Sequence, residues 1–97
     1  MYYELKRRGS PNKRRDRHDI VVEILKTAMD GQIKTHIMYK AKLSYDQLNK
    51  YLELLSRKGL LENYTIRRRK NDLRMYRTTQ KGLQLIKDFE TVKSVWR

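Results

Sequence analysis

The six residues Leu43-Ser44-Tyr45-Asp46-Gln47-Leu48 leave this chain little local choice. Ser44 and Gln47 stand at the spacing S-x-x-Q of a capping box. In that arrangement the serine hydroxyl accepts the backbone N–H three residues on, and the glutamine side chain accepts the serine's own N–H. Leu43 and Leu48 occupy the two positions of a hydrophobic staple, which fixes the angle at which the chain enters the helix. The spacing predicts a helix that begins at Ser44, runs to Lys58 and stops at Gly59. Turning each residue by about 100° puts Leu48, Leu52 and Leu55 on the inward face. Asp46, Asn49, Lys50, Glu53 and Arg57 then face outward, with Tyr45 and Gln47 on the flanks.

The residues before this helix form a second, shorter one. Thr35 is expected as its cap, with Ile37, Met38 and Ala41 facing inward and Leu43 in the turn. Lys34 to Leu61 therefore reads as a helix-turn-helix, whose second helix can enter a DNA major groove. Upstream, Ile20, Val21, Ile24, Leu25 and Ala28 recur every three or four residues, predicting a first helix from Asp16 to Met29. Asp16 and Asp19 suit its positive end, and Asp30-Gly31 is expected to end it through a left-handed glycine. Gln32-Ile33 is read as a very short strand.

After Gly59 the pattern changes. Leu61, Tyr64 and Ile66, then Met75-Tyr76-Arg77-Thr78, flank a polar Asn71-Asp72 turn, which predicts a β-hairpin. Its tip carries Arg67, Arg68, Arg69, Lys70 and Arg74 against Asp72. Like charges this dense repel one another unless an anion neutralises them. A hairpin directly after a helix-turn-helix is a wing. The fold class expected is therefore α+β, mostly α: a winged helix-turn-helix with a three-helix core, a β-hairpin wing and a C-terminal dimerisation helix. That last helix is expected from Thr79-Gln80 to Ser94. Leu83 and Ile86 cover the core, while Leu85, Phe89, Val92 and Trp96 repeat at four, three and four residues, the spacing of a coiled-coil seam.

Composition sharpens the function class. The 97 residues carry 24 Lys and Arg against 11 Asp and Glu, a net charge of +13. Much of the excess sits in the wing and in residues 1–16, which hold Lys6, Arg7, Arg8, Lys13, Arg14 and Arg15 and are expected as a flexible basic arm. The division expected is thus 1–16 arm, 17–78 winged-helix domain and 79–97 C-terminal helix with the dimer interface. Tyr2, Tyr3 and Leu5 are left without a role. The chain has no cysteine, which removes disulfides and thiolate metal sites. No apolar run approaches the roughly 20 residues that span a bilayer, and the N-terminus lacks the apolar segment of a secretory signal. A cytoplasmic, nucleoid-associated protein is expected. His18 and His36 do not make a metal-ligand spacing. There is no glycine-rich phosphate loop and no nucleophile pattern. The chain is expected to be no enzyme and to need no metal or cofactor.

The stretch KTHIMYKAKLSYDQLNKYLELLSRKGLLE, followed after the hairpin by YRTTQKGLQLIKDF, resembles a family of small archaeal winged-helix DNA-binding proteins and predicted regulators. The shared pattern is K-T-x-I-M-Y-x-A-x-L-S-Y-x-Q-L-x-K-Y-L-x-x-L-x-x-K-G-L, then T-x-K-G. Here it falls on Lys34, Thr35, Ile37, Met38, Tyr39, Ala41, Leu43, Ser44, Tyr45, Gln47, Leu48, Lys50, Tyr51, Leu52, Leu55, Lys58, Gly59 and Leu60, then Thr79, Lys81 and Gly82. The resemblance covers roughly residues 17 to 90. It implies a winged-helix fold, binding to double-stranded DNA, no cofactor and homodimerisation through the C-terminal helix. Some relatives carry a much longer antiparallel coiled coil there. With the sequence ending at Arg97, a coiled coil of that length is not expected.

The function expected is a DNA-binding transcription regulator. Gln47, Asn49 and Lys50 approach base edges, with Ser44 and Tyr45 at the start of the same helix and Tyr45 against the backbone or a thymine methyl. Lys34, Thr35 and His36 hold phosphates, and Arg67, Arg68, Arg69, Lys70 and Arg74 grip the backbone. Two alternatives stay open: an architectural protein that coats DNA with little sequence preference, and a winged helix whose third helix binds another protein.

Overall fold

The computed structural model describes residues 16–95. In chain order it has α1 (Arg17–Thr27), β1 (Gln32–Ile33), α2 (Lys34–Ala41), α3 (Tyr45–Arg57), β2 (Leu61–Ile66), β3 (Leu73–Thr78) and α4 (Gln80–Val95). Every element anticipated between residues 16 and 95 is present, and the fold is the mostly helical α+β winged helix-turn-helix.

α3 forms where its cap places it. The Gln47 backbone N–H donates to Ser44 Oγ at 3.1 Å, and the Ser44 N–H donates to Gln47 Oε1 at 3.0 Å. Leu48, Leu52 and Leu55 are buried on its inner face. They join Ile24 and Leu25 of α1, Ala28 just past its end, Ile37 and Ala41 of α2, Leu61, Tyr76 and Ile86 in one cluster, against which Leu43 packs at its edge. Each fully buried aliphatic side chain here stabilises the fold by about 1.5–3 kcal/mol. Ser44→Ala leaves the N–H of Gln47 without this partner and is expected to cost about 1 kcal/mol, read as a lower urea midpoint with unchanged slope.

α2 starts differently from the expectation. Thr35 does not cap it. The cap residue is Ile33, with no side-chain hydrogen bond, and Thr35 lies inside the first turn. The reason is the sheet. Gln32 and Ile33 pair with Tyr76 and Met75 of β3, and the chain passes from that pairing straight into the helix. Lys42, in the left-handed region at φ 56°, ends α2.

α1 also closes earlier than the periodicity suggests, at Thr27 rather than Met29. The carbonyl of Ala28 is taken by the N–H of Gly31 at 3.0 Å and by that of Thr78 at 3.1 Å, so the chain turns there. Gly31 has the positive φ anticipated, 99°, and serves the turn into β1 rather than the helix cap itself. A side chain at this position would strike the Tyr64 hydroxyl.

The sheet is antiparallel in the order β1-β3-β2. Leu61 and Thr78 are opposite one another and both buried; Thr78 Oγ1 donates to the Leu25 carbonyl at 2.6 Å, tying the sheet to α1. Glu62 and Arg77 pair at the next position. Arg77 holds Glu62 through Nη2 at 2.9 Å and Nε at 3.0 Å, with its guanidinium 4.8 Å from the Tyr64 ring centroid.

The entry to α4 is fastened to the exit of α3. Thr79 Oγ1 accepts the Gly82 N–H at 3.1 Å, capping α4, and donates to the Gly59 carbonyl at 2.7 Å. Lys81 Nζ donates to the Lys58 carbonyl at 3.0 Å, and the Thr79 N–H to the Leu60 carbonyl at 3.1 Å. Gly59, at φ 75°, makes the bend. At the other end, Lys26 of α1 pairs with Glu90 of α4.

Candidate nucleic-acid interface

The burial of Leu48, Leu52 and Leu55 decides which side of α3 faces out. Tyr45, Asp46, Gln47, Lys50, Glu53 and Arg57 are exposed, and Asn49 is half-buried. Arg57 approaches Glu53 at 3.9 Å, one turn away. Among carboxylate, amide, ammonium and guanidinium groups, all can meet base edges or phosphates. Asn49 borders a shallow hollow of about 190 Å³ with Glu53, Ser56 and Asn63 of β2. The Gln47 amide is engaged through Oε1 in the capping box, which leaves its Nε2 as the group that can reach outward.

Lys34 opens α2, and its side chain reaches across to α3. Nζ donates to the Tyr45 hydroxyl at 3.3 Å and lies 4.5 Å from the centre of its ring. The Lys34 ammonium, through its hydrogen bond first, holds the Tyr45 phenol below the usual tyrosine range. A donor contribution from the Asn49 amide and the Lys34 charge add to the effect. Thr35 and His36 are exposed in the same first turn, which contains no acidic residue. Cationic side chains at this positive helix end raise the local potential further.

The wing presents Arg67, Arg68, Arg69, Lys70 and Arg74, all exposed. Among the described residues none of these five makes a salt bridge; the carboxylates that do are Asp16, Glu53, Glu62 and Glu90, each with another partner. On α4 the seam residues differ among themselves. Leu85 packs partly against the protein's own core. Phe89 is half-buried, its ring stacked on His18 of α1 at 6.4 Å between centroids. Val92 is 56% exposed. Trp96 and the basic arm lie outside the described residues, save Asp16 at the arm's end.

A profile described as winged helix-turn-helix matches residues 14–96. The chain belongs to the winged helix-turn-helix family. Among solved structures, this winged helix-turn-helix protein is similar to Sso10a-2, a DNA-binding protein from Sulfolobus solfataricus. The identity is 28% over 84% of this chain and 81% of that one, with a TM-score of 0.71. That likeness supports the resemblance to small archaeal winged-helix proteins. A PadR family transcriptional regulator from Eggerthella lenta superposes with a TM-score of 0.69 at 19% identity, over 82% of this chain and 76% of that chain. Bacillus subtilis PadR, solved in complex with operator DNA, gives 0.61 at 21% identity, over 72% of this chain and 45% of that chain. At these lower identities the likeness is one of fold. Among curated proteins none matches. No helix among the described residues is long and apolar enough to cross a membrane.

Two features of the winged helix-turn-helix protein escape sequence reading. One is the Lys34–Tyr45 contact, which joins residues 11 apart and depends on the turn at Lys42. The other is Arg77, a cation of the wing whose charge is spent on Glu62. Only the strand register separates it from Arg74: Arg77 falls opposite Glu62 and Arg74 opposite Thr65, a pairing centred on Arg69-Lys70, whereas the Asn71-Asp72 turn expected from the sequence would have set Arg77 opposite Ile66.

Proposed function

We propose that the protein is a transcription regulator that binds double-stranded DNA as a homodimer, with residues 44–58 in the major groove and the wing on the sugar-phosphate backbone. The observation that carries this reading is the wing: five exposed cations without a carboxylate partner among the described residues, in a winged helix-turn-helix whose α3 exposes a polar face. The DNA-binding character of Sso10a-2 and the operator complex of Bacillus subtilis PadR support it. In this reading Gln47, Asn49 and Lys50 meet base edges. Ser44 and Tyr45 stand at the entry of the groove, and Lys34, Thr35 and His36 face a phosphate. Residues 1–16 add phosphate contacts as a basic arm. Residues 79–97 form the dimer interface through Phe89, Val92 and Trp96, with Leu85 shared between that interface and the subunit's own core. No cofactor and no catalytic step enter.

The test is selection from a random duplex library at two salt concentrations. A regulator enriches one sequence. Equal retention of all duplexes indicates the architectural alternative, since phosphate contacts carry little sequence information. With about 5 phosphates neutralised per protomer, affinity falls steeply as salt rises. Sedimentation of the wild type as a species near 11.9 kDa would remove the dimer from this proposal.

A further inference from the structure

We propose that Tyr45 is a positioning residue: it holds the Lys34 ammonium ready for a phosphate and fixes that grip to the first turn of α3. This inference rests on the DNA-binding reading above. Lys34 stands at the positive end of α2, where the helix dipole disfavours a cation. Its side chain reaches across to the first residue of α3, and Nζ sits 3.3 Å from the Tyr45 hydroxyl and 4.5 Å from the ring centre. The ring face attracts the cation, and the hydroxyl accepts a hydrogen bond from it. Among the described residues no carboxylate pairs with Lys34, so the ammonium keeps its charge for an incoming anion.

The gain is in ordering. A free lysine side chain loses rotamer entropy when it grips a phosphate. Lys34 is already directed, so less is lost on binding. The contact also spans the turn. Lys34 belongs to α2 and Tyr45 to the first turn of α3, so a phosphate held by one sets the depth and rotation of the other in the groove. Asn49 lies one helical turn beyond Tyr45 on the same side, and its amide adds to the lowering of the Tyr45 phenol. A phenylalanine at 45 keeps the ring and loses the hydroxyl, which separates the two halves of the contact.

A double-mutant cycle on the full chain, with a selected duplex as probe, decides the matter. Tyr45→Phe is expected to weaken binding about three- to tenfold in the wild-type background. In the Lys34→Met background the same change is expected to cost less than about twofold, because its effect passes through Lys34. Equal losses in both backgrounds overturn the proposal and make Tyr45 an independent DNA contact. A second measurement needs no DNA. The ring of Tyr45, followed by NMR, is expected to titrate below the usual tyrosine range and to move up toward it in Lys34→Met. A titration that Lys34→Met leaves unchanged overturns the contact itself. A wild type that shows the titration shift but binds no duplex overturns the DNA reading, and the role of Tyr45 with it.

Discussion

Reversing Arg67, Arg68, Arg69 and Lys70 to glutamate is expected to lower duplex affinity by on the order of 1,000-fold or more at physiological salt. Four cations leave the wing and four anions replace them, taking the net charge from +13 to +5. Duplex DNA releases about 0.9 counterion for each phosphate neutralised, so each lost contact also removes that much from the slope of log affinity against log salt. Neutral replacement by glutamine separates the two effects: the slope falls by about 3–4 per protomer, about 7 for the proposed dimer with its two wings, if all four side chains meet phosphates, without the added repulsion. Folding is expected to survive both variants. The four residues are exposed and make no salt bridge among the described residues. The checks are an affinity titration across salt and a circular dichroism spectrum. Unchanged affinity with the full reversal would direct attention to α3 as a protein-binding surface.

Gly82→Ala is expected to destabilise the domain by about 1–3 kcal/mol, a small substitution with a large effect for a chain of this size. The strain is steric rather than conformational. Gly82 lies in the first turn of α4, where alanine is ordinarily the better helix former. A methyl group there meets the Leu60 carbonyl oxygen inside van der Waals contact and comes within 2.5 Å of Thr78 Cγ2. Neither neighbour yields freely. Leu60 O accepts the Thr79 N–H, and Thr78 is held through its hydroxyl to Leu25. The melting temperature should fall by roughly 4–8 °C for each kcal/mol. A rise instead, as helix propensity alone predicts, would mean that α4 does not sit this close to Leu60. The same contact gives a physical reason for glycine in the T-x-K-G pattern at the start of the last helix.

The parts of this structure that were legible beforehand are those specified by neighbours in sequence. Ser44 and Gln47 fix the start of α3 within one turn. Leu48, Leu52 and Leu55 identify its inner face, and the polar run near Asn71-Asp72 marks a hairpin, although the register centres it two residues earlier, on Arg69-Lys70. What was not legible depends on distant partners. Thr35 has the chemistry of a cap, but β1 pairs with β3 and delivers the chain into α2 two residues sooner. α1 has apolar periodicity past Thr27, but the backbone of Thr78 claims the Ala28 carbonyl. The candidate interface divides in the same way. Exposure of the wing cations follows from local sequence, whereas the engagement of Lys34 with Tyr45 and of Arg77 with Glu62 follows from a turn angle and a strand register. Leu85, counted with the seam by its spacing, also packs against the subunit's own core.

The fastening of α4 to the end of α3 has a consequence for the DNA rather than for the protein. Lys58, Gly59 and Leu60 are bonded to Thr79 and Lys81 without an intervening linker. In the proposed dimer, the distance between two copies of α3 is then set by the crossing of the two α4 helices, with little slack. Such a dimer acts as a caliper. Half-sites one helical turn apart, about 34–36 Å, lie on the same side of the duplex; inserting five base pairs rotates one half-site to the far side, about half a turn of a 10–10.5-base-pair repeat. A target with the correct bases and the wrong spacing would therefore be rejected almost as firmly as one with the wrong bases.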